Sequence, residues 1–191
     1  MSSKPTREAT WELIKEHLPS DQMRRHSLAV EAVMRHMAKK CGEDEEMWGV
    51  IGLAHDIDYE RYSEEHCQRA PGMLREAGWP EEYIRAVVSH GWGICSGVEP
   101  ITRLEKTLYT IDELTGLVAA SALVRPSKSI LDLPVKSVTK KWKDKAFAAG
   151  ADRSVIEKGA AMLGVELTEL IGDTIDGMRS EAEAIGLKGN I

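Results

Sequence analysis

An all-α helical bundle is the fold class this sequence predicts, and three observations predict it. Apolar residues recur at helical spacing along nearly all of the 191 residues. No segment alternates apolar and polar residues between hairpin turns, so strands are not expected. Residues that cap or stop helices stand at the ends of the periodic stretches.

The first helix is predicted over 6–18, stopped by Pro19. Ser20 or Asp21 caps a second that runs to about 40, before Cys41-Gly42. A third covers 44–56, and a fourth covers 64–77 and is closed by Gly78. After Pro80, a fifth spans 81–90 and leads into a glycine-rich loop, Gly91 to Gly97. A long sixth helix, 101–124, ends before Pro126, and Gly116, Ala119 and Ala120 suggest that it packs closely on a neighbour. A short helix over 137–149 and a helical segment over 152–185 complete the chain. In the last segment Ile156, Leu163, Leu167, Leu170, Ile171, Ile175 and Met178 form an apolar stripe suited to the bundle or to a dimer interface.

Composition excludes several classes. With 42% hydrophobic and 29% charged residues the chain can bury a core and is not globally disordered. A net charge of -6 argues against a general nucleic-acid surface, because phosphate backbones need clustered positive charge. Cys41, Cys67 and Cys95 are odd in number and lack Cys-x-x-Cys spacing, so neither a disulfide framework nor a thiolate zinc site is expected. Residues 1–7 show no apolar secretory stretch and no run is long enough to span a membrane, so a cytoplasmic protein is expected.

Six residues, His26, His55, Asp56, His66, His90 and Asp112, have the composition and order of a metal site assembled from several helices. The anchor is Gly52-Leu53-Ala54-His55-Asp56-Ile57-Asp58, which places imidazole beside carboxylate where an apolar helix ends. Adjacent helical residues point about 100° apart, so both reach one site only near a helix end or where ions sit between several elements. Helical spacing puts His26 in line with Val30, Val33 and Met37, and His55 with Trp48 and Ile51. His90 follows Tyr83 and Val87, and Asp112 follows Leu104 and Leu108. Four helices thus aim ligand-type side chains at one interior, where a cation offsets the burial of carboxylate. Such a set suits one or two divalent ions, iron, manganese or cobalt before zinc or magnesium. His17 reads as a surface residue at a helix end, His36 lies roughly 80° around from His26, and Cys67, beside His66 on the predicted fourth helix, points elsewhere and reads as a small buried filler.

The order His26, His55-Asp56, Asp112 resembles the HD superfamily of metal-dependent phosphohydrolases, and His55-Asp56-Ile57-Asp58 is similar to its His-Asp-Ile-Gly signature. The segments His66 to Leu74 and Pro80 to His90 resemble those that carry two further histidines in binuclear members. The resemblance, over about 21–124, implies a single HD-type domain across 1–191 with a C-terminal helical extension from about 125. It also implies one ion on His26, His55, Asp56 and Asp112, with Asp56 bridging to a second on His66 and His90. Asp112 to Leu117 and Ala122 to Lys128 are similar to a small bacterial subgroup of predicted hydrolases. Where the signature often continues with Gly-Lys, this chain has Asp58-Tyr59-Glu60-Arg61, which disfavours the nucleotide-second-messenger diesterases.

The expected activity is phosphohydrolysis of a small phosphorylated metabolite or nucleotide by metal-activated water. Asp56 is the central catalytic carboxylate, and Asp58 is the nearest uncommitted one, available to orient water or pass a proton. Arg24 and Arg25 flank His26 and are expected at the mouth of the site, with Trp92 in the glycine-rich loop as a pocket wall. Lys136, Lys140, Lys141, Lys143 and Lys145 alternate with Val138, Trp142 and Ala146, which reads as a solvated face around an inward stripe. Two other classes share the pattern: a di-iron oxygenase, and a non-catalytic module stabilised by its metal.

Overall fold

The computed structural model describes residues 4–191; residues 1–3, part of the stretch in which no secretory signal is read, lie outside it. Among the described residues there are nine α-helices and no strand, the all-α class the periodicity predicts. No described helix is long and apolar enough to cross a membrane.

Side-chain caps start most of the long helices. Thr6 accepts from the Ala9 N–H at the head of α1 (Arg7–His17), and Ser20 from the Met23 N–H at the head of α2 (Asp21–Cys41). Gly42, at φ 72°, ends α2, and Asp44 caps α3 (Glu45–Ala54). Past a 3-10 turn at Ser63–Glu65 come α4 (Ala70–Glu76) and α5 (Glu81–Ser89). A reciprocal capping box of Thr102 and Glu105 opens α6 (Arg103–Leu123). The chain closes with α7 (Val135–Trp142), α8 (Arg153–Leu163) and α9 (Leu167–Ser180).

Three predicted elements differ, each for a local reason. The helix expected over 64–77 is interrupted at Cys67, whose φ of 65° is left-handed, and restarts at α4 with Pro71 in its first turn. The helix expected over 137–149 ends at Trp142. Beyond it Asp144 accepts from the Ala146 and Phe147 N–H groups, and the Arg153 guanidinium donates to the carbonyls of Asp144, Phe147, Ala148 and Ala151. The segment expected over 152–185 divides at Gly164, at φ 67°, into α8 and α9.

Helix α2 is the centre of the bundle, packed on α3, α6 and α9, while α8 packs on α6. A single apolar core runs from Ile14 to Leu187. Ile156, Leu170, Ile171, Ile175 and Met178 are buried in it, so this stripe faces the bundle. The α2–α9 approach depends on Gly177, where a Cβ would come within 2.8 Å of Val33 Cα. Gly116, Ala119 and Ala120 all line a cavity; Gly116 is exposed with no atom near its Cβ position, whereas Ala119 also packs against the core. Their small size leaves room there. Lys136, Lys140, Lys143 and Lys145 are exposed as a solvated face, and Val138 is buried, but Ala146 lies past the helix end and is exposed too.

Candidate metal centre

Five elements bring the six predicted ligands to one point. His26 stands in the second turn of α2 and Asp112 in the middle of α6. His55 and Asp56 follow directly on α3, where the chain leaves the helix in successive turns. That is how neighbouring side chains converge. His66 follows the 3-10 turn, and His90 caps the C-terminus of α5.

The ring nitrogens converge in two groups. His26 Nε2 lies 3.2 Å from His55 Nε2 and 2.9 Å from Asp112 Oδ1. His66 Nε2 lies 3.1 Å from His90 Nε2. Asp56 stands between them: its Oδ2 is 3.2 Å from His55 Nε2 and 3.5 Å from His26 Nε2, and its Oδ1 is 3.4 Å from His66 Nε2 and 3.5 Å from His90 Nε2.

The far side of three rings fixes their tautomers. His55 Nδ1–H donates to the Gly52 carbonyl at 2.8 Å, His90 Nδ1–H to the Val87 carbonyl at 2.5 Å, and His66 Nδ1–H to Asp58 Oδ1 at 2.7 Å. Carbonyl and carboxylate oxygens accept only, so each Nδ1 carries a proton and each Nε2 lone pair is left for a second proton or a metal ion. Two such lone pairs at 3.1 Å repel unless a proton or a metal ion lies between them. Nitrogen donors each about 2.1 Å from a shared ion, at near-right angles, stand about 3 Å apart. The donor set therefore fits a metal ion in each group, with one carboxylate oxygen of Asp56 directed to each.

Electrostatics points the same way. Burial alone would depress the His55 imidazole, but Asp56 and Asp112 outweigh it and hold it well above its ordinary value. Burial likewise opposes ionisation of Asp56 and Asp112, and the facing imidazoles keep both carboxyls well below the usual range. For His66, Asp58 and Asp56 overcome burial and raise it. The cluster attracts positive charge, whether protons or metal.

The remaining predicted residues separate. Asp58 is fully buried and not uncommitted: Oδ1 accepts from His66 and Oδ2 from the Ala70 N–H at 2.8 Å, so it stands behind His66. Arg25 lines a solvent-open cavity of about 1020 Å³ that His26, Asp56, His66, His90 and Asp112 also line. Its guanidinium sits against Gly186, with no side-chain hydrogen bond or ion pair among the described residues. Arg24 is turned away from the cavity and donates to the Leu18 and Lys15 carbonyls at 2.7 and 3.0 Å, closing the end of α1. Trp92 also lies off the cavity, 5.9 Å from the Tyr109 ring, with Lys158 Nζ 3.4 Å above the indole. From that loop Gly91, Ile94 and Cys95 form the wall instead.

Sequence reasoning missed four wall or neighbouring groups. Tyr59 meets the His66 ring edge-on at 5.1 Å, and Glu113, its carboxyl raised by burial, accepts from the Asp152 N–H. Cys67 and Cys95 bring their sulfurs to 3.0 Å of each other beside His66 and His90. Only the adjacency of Cys67 to His66 signalled them, and helical geometry argued that adjacency away.

Residues 23–117 match the family model described as HD domain. No curated protein and no solved structure matches the chain.

Proposed function

The chain belongs to the HD domain family, and from that premise we propose that it is a metal-dependent phosphohydrolase cleaving a small phosphorylated metabolite or nucleotide with water. One observation carries the reading. Asp56 turns one carboxylate oxygen to His26 and His55 and the other to His66 and His90, the arrangement of a bridge between two ions. Divalent ions there supply Lewis acidity toward phosphoryl oxygens and bring the pKa of water towards neutrality. Iron, manganese or cobalt suits these donors, with zinc or magnesium as further candidates.

The chain's own residues prepare the rest. His55, His66 and His90 are locked by their Nδ1–H bonds, so their Nε2 atoms need no reorganisation. Asp58 acts through His66, which it orients and makes more basic. Asp56 and Asp112 bring two negative charges, so two bound divalent ions would leave the floor of the cavity net positive. Arg25 adds a guanidinium at the wall, and together they suit a phosphate rather than a neutral group. Ala119, Ala120, Leu123 and Leu187 line the same cavity and offer an apolar surface to the substrate's body.

The test is metal analysis of anaerobically prepared protein, wild type beside His66→Ala and His90→Ala, with phosphatase and nucleotide screens on the same samples. About two ions per chain, falling to about one in both variants, with phosphate released by the wild type alone, is the expected result. A single ion retained in both variants would overturn the two-ion reading. Iron-dependent oxygen consumption without phosphate release would replace hydrolysis by oxygenation.

A further inference from the structure

The six ligands supply only nitrogen and oxygen, yet two thiols stand against the second position. Cys67 directly follows His66 and is 3% exposed, while Cys95 lies on the loop after His90 and lines the cavity. Their sulfurs are 3.0 Å apart, and Cys67 Sγ is 3.9 Å from His90 Nε2. One ligand atom from each of His66, Cys67 and Cys95 falls within 4.8 Å of the others.

The backbone is shaped to admit this pair. Cys67 occupies the left-handed region at φ 65°, a conformation unfavourable for a residue bearing a Cβ. It carries the sulfur to the side of the loop where His90 stands. Opposite, position 91 is glycine, and a Cβ there would collide with both sulfurs. Strain on one side and a missing side chain on the other serve one close approach.

Counting lone pairs shows what the pair stands beside. His66 Nδ1–H is committed to Asp58, so His66 offers a cation only Nε2. The group Asp56, His66, His90 and the group His66, Cys67, Cys95 share that nitrogen and cannot both be filled. They are one position.

We propose that the second position is a mixed nitrogen, oxygen and sulfur site, in which the Cys67–Cys95 pair adds a thiolate to Asp56, His66 and His90. On binding a divalent ion the pair gives up one proton to solvent, one sulfur–metal bond forms, and the second thiol donates its S–H to the thiolate. The two positions then differ in kind. The first, on His26, His55, Asp56 and Asp112, accepts hard and borderline ions alike. The second selects borderline ions such as ferrous iron, cobalt or zinc over magnesium and manganese. This inference rests on the two-ion reading of the centre.

Metal-free wild-type protein, kept reduced with a phosphine under anaerobic conditions, is titrated with cobalt(II) and its near-ultraviolet spectrum recorded. Expected is a thiolate-to-cobalt charge-transfer band that grows with one of two equivalents. The Cys67→Ser/Cys95→Ser variant is expected to lose that band and retain the visible absorption of the other equivalent. Zinc should shield Cys67 and Cys95, but not Cys41, from alkylation. Two cobalt ions bound to wild type without the band would overturn the proposal whether or not the variant folds, and so would a band surviving in a folded double variant. Two thiols lost as a disulfide and regained only on stronger reduction would also overturn it, making the pair a redox couple. No cobalt uptake at all would instead remove the metal centre.

Discussion

Replacing Asp58 by Asn keeps the shape of the side chain and removes an acceptor that two donors need. In the native protein both partners, His66 Nδ1–H at 2.7 Å and the Ala70 N–H at 2.8 Å, donate to it, and the carboxylate is fully buried. An amide has one oxygen and one NH2, so it can satisfy only one of them. If it serves Ala70, its NH2 group faces His66 and drives the proton to Nε2, where it blocks the metal. If it serves His66, the Ala70 N–H at the start of α4 is orphaned. The second outcome costs about 1–3 kcal/mol of stability, and a chain of this length loses about 2–4 °C in Tm per kcal/mol. The first weakens the ion at the second position by about 10–100-fold, or about 1.4–2.8 kcal/mol. Chelator-competition titration of wild type and Asp58→Asn, with melting curves of both metal-free proteins, separates the two. Expected is one ion bound as before and one weakened, with turnover falling in step with occupancy. If both ions bind with wild-type affinity while turnover collapses, Asp58 handles the reaction's proton, and the positioning argument is wrong.

Arg25→Ala should raise KM for a phosphorylated substrate by about tenfold or more with kcat little changed, while Arg24→Ala should leave KM alone and lower Tm; equal KM effects would sink the distinction. Gly177→Ala gains about 1 kcal/mol of helix propensity but pushes a Cβ to 2.8 Å from Val33 Cα, and overpacking against backbone costs about 1–3 kcal/mol. Thermal melts should therefore show a fall in Tm, and a rise would mean that the α2–α9 contact is slack. Glu105 accepts from the Ile101 and Thr102 N–H groups and pairs with Arg85, which together overcome burial and hold its carboxyl below its ordinary 4.5. Its folded value lies below its unfolded one, so the stability it lends is full above about pH 4.5 and is lost as pH falls through the lowered value. Glu105→Gln should be less stable at pH 7 and show a flatter acid limb in denaturant titrations; parallel curves for the two proteins would refute this.

Most of the centre was legible because ligand chemistry and helical period are side-chain properties. His26, Val30, Val33 and Met37 announce a buried face whatever the rest of the chain does, and His55-Asp56 at a helix end announces convergence. Illegible were the features set by backbone. The acceptors that fix His55 and His90 are the carbonyls of Gly52 and Val87, groups every residue has. A continuous helix would turn Cys67 away from His66, but the left-handed φ of Cys67 breaks that helix. Arg24 and Arg25 differ by one step on α2, and only the position of Leu18 and Gly186 decides which closes a helix and which reaches the cavity. In sequence Gly116, Ala119 and Ala120 look like room for a neighbouring helix. They leave room for a cavity, because the residues opposite come from the C-terminal segment, Ile185 to Leu187, whose approach follows from α9 packing on α2.

The same geometry predicts that folding and ion binding are coupled. Each of three imidazoles gains a hydrogen bond on folding that fixes its proton on Nδ1, and that bond aims a lone pair at a neighbour carrying another lone pair or a carboxylate oxygen. The bundle thus satisfies its histidines individually while setting their acceptor atoms against each other. Without metal, protons must supply the missing positive charge, which is the direction in which His55 and His66 are shifted. Protons and metal then compete for the same Nε2 atoms, so ion affinity falls as pH falls and metal uptake releases protons. A metal answers both demands of the fold at once. It replaces a set of protons that would block the ligand atoms, and it leaves Asp56 with an oxygen for each half of the centre.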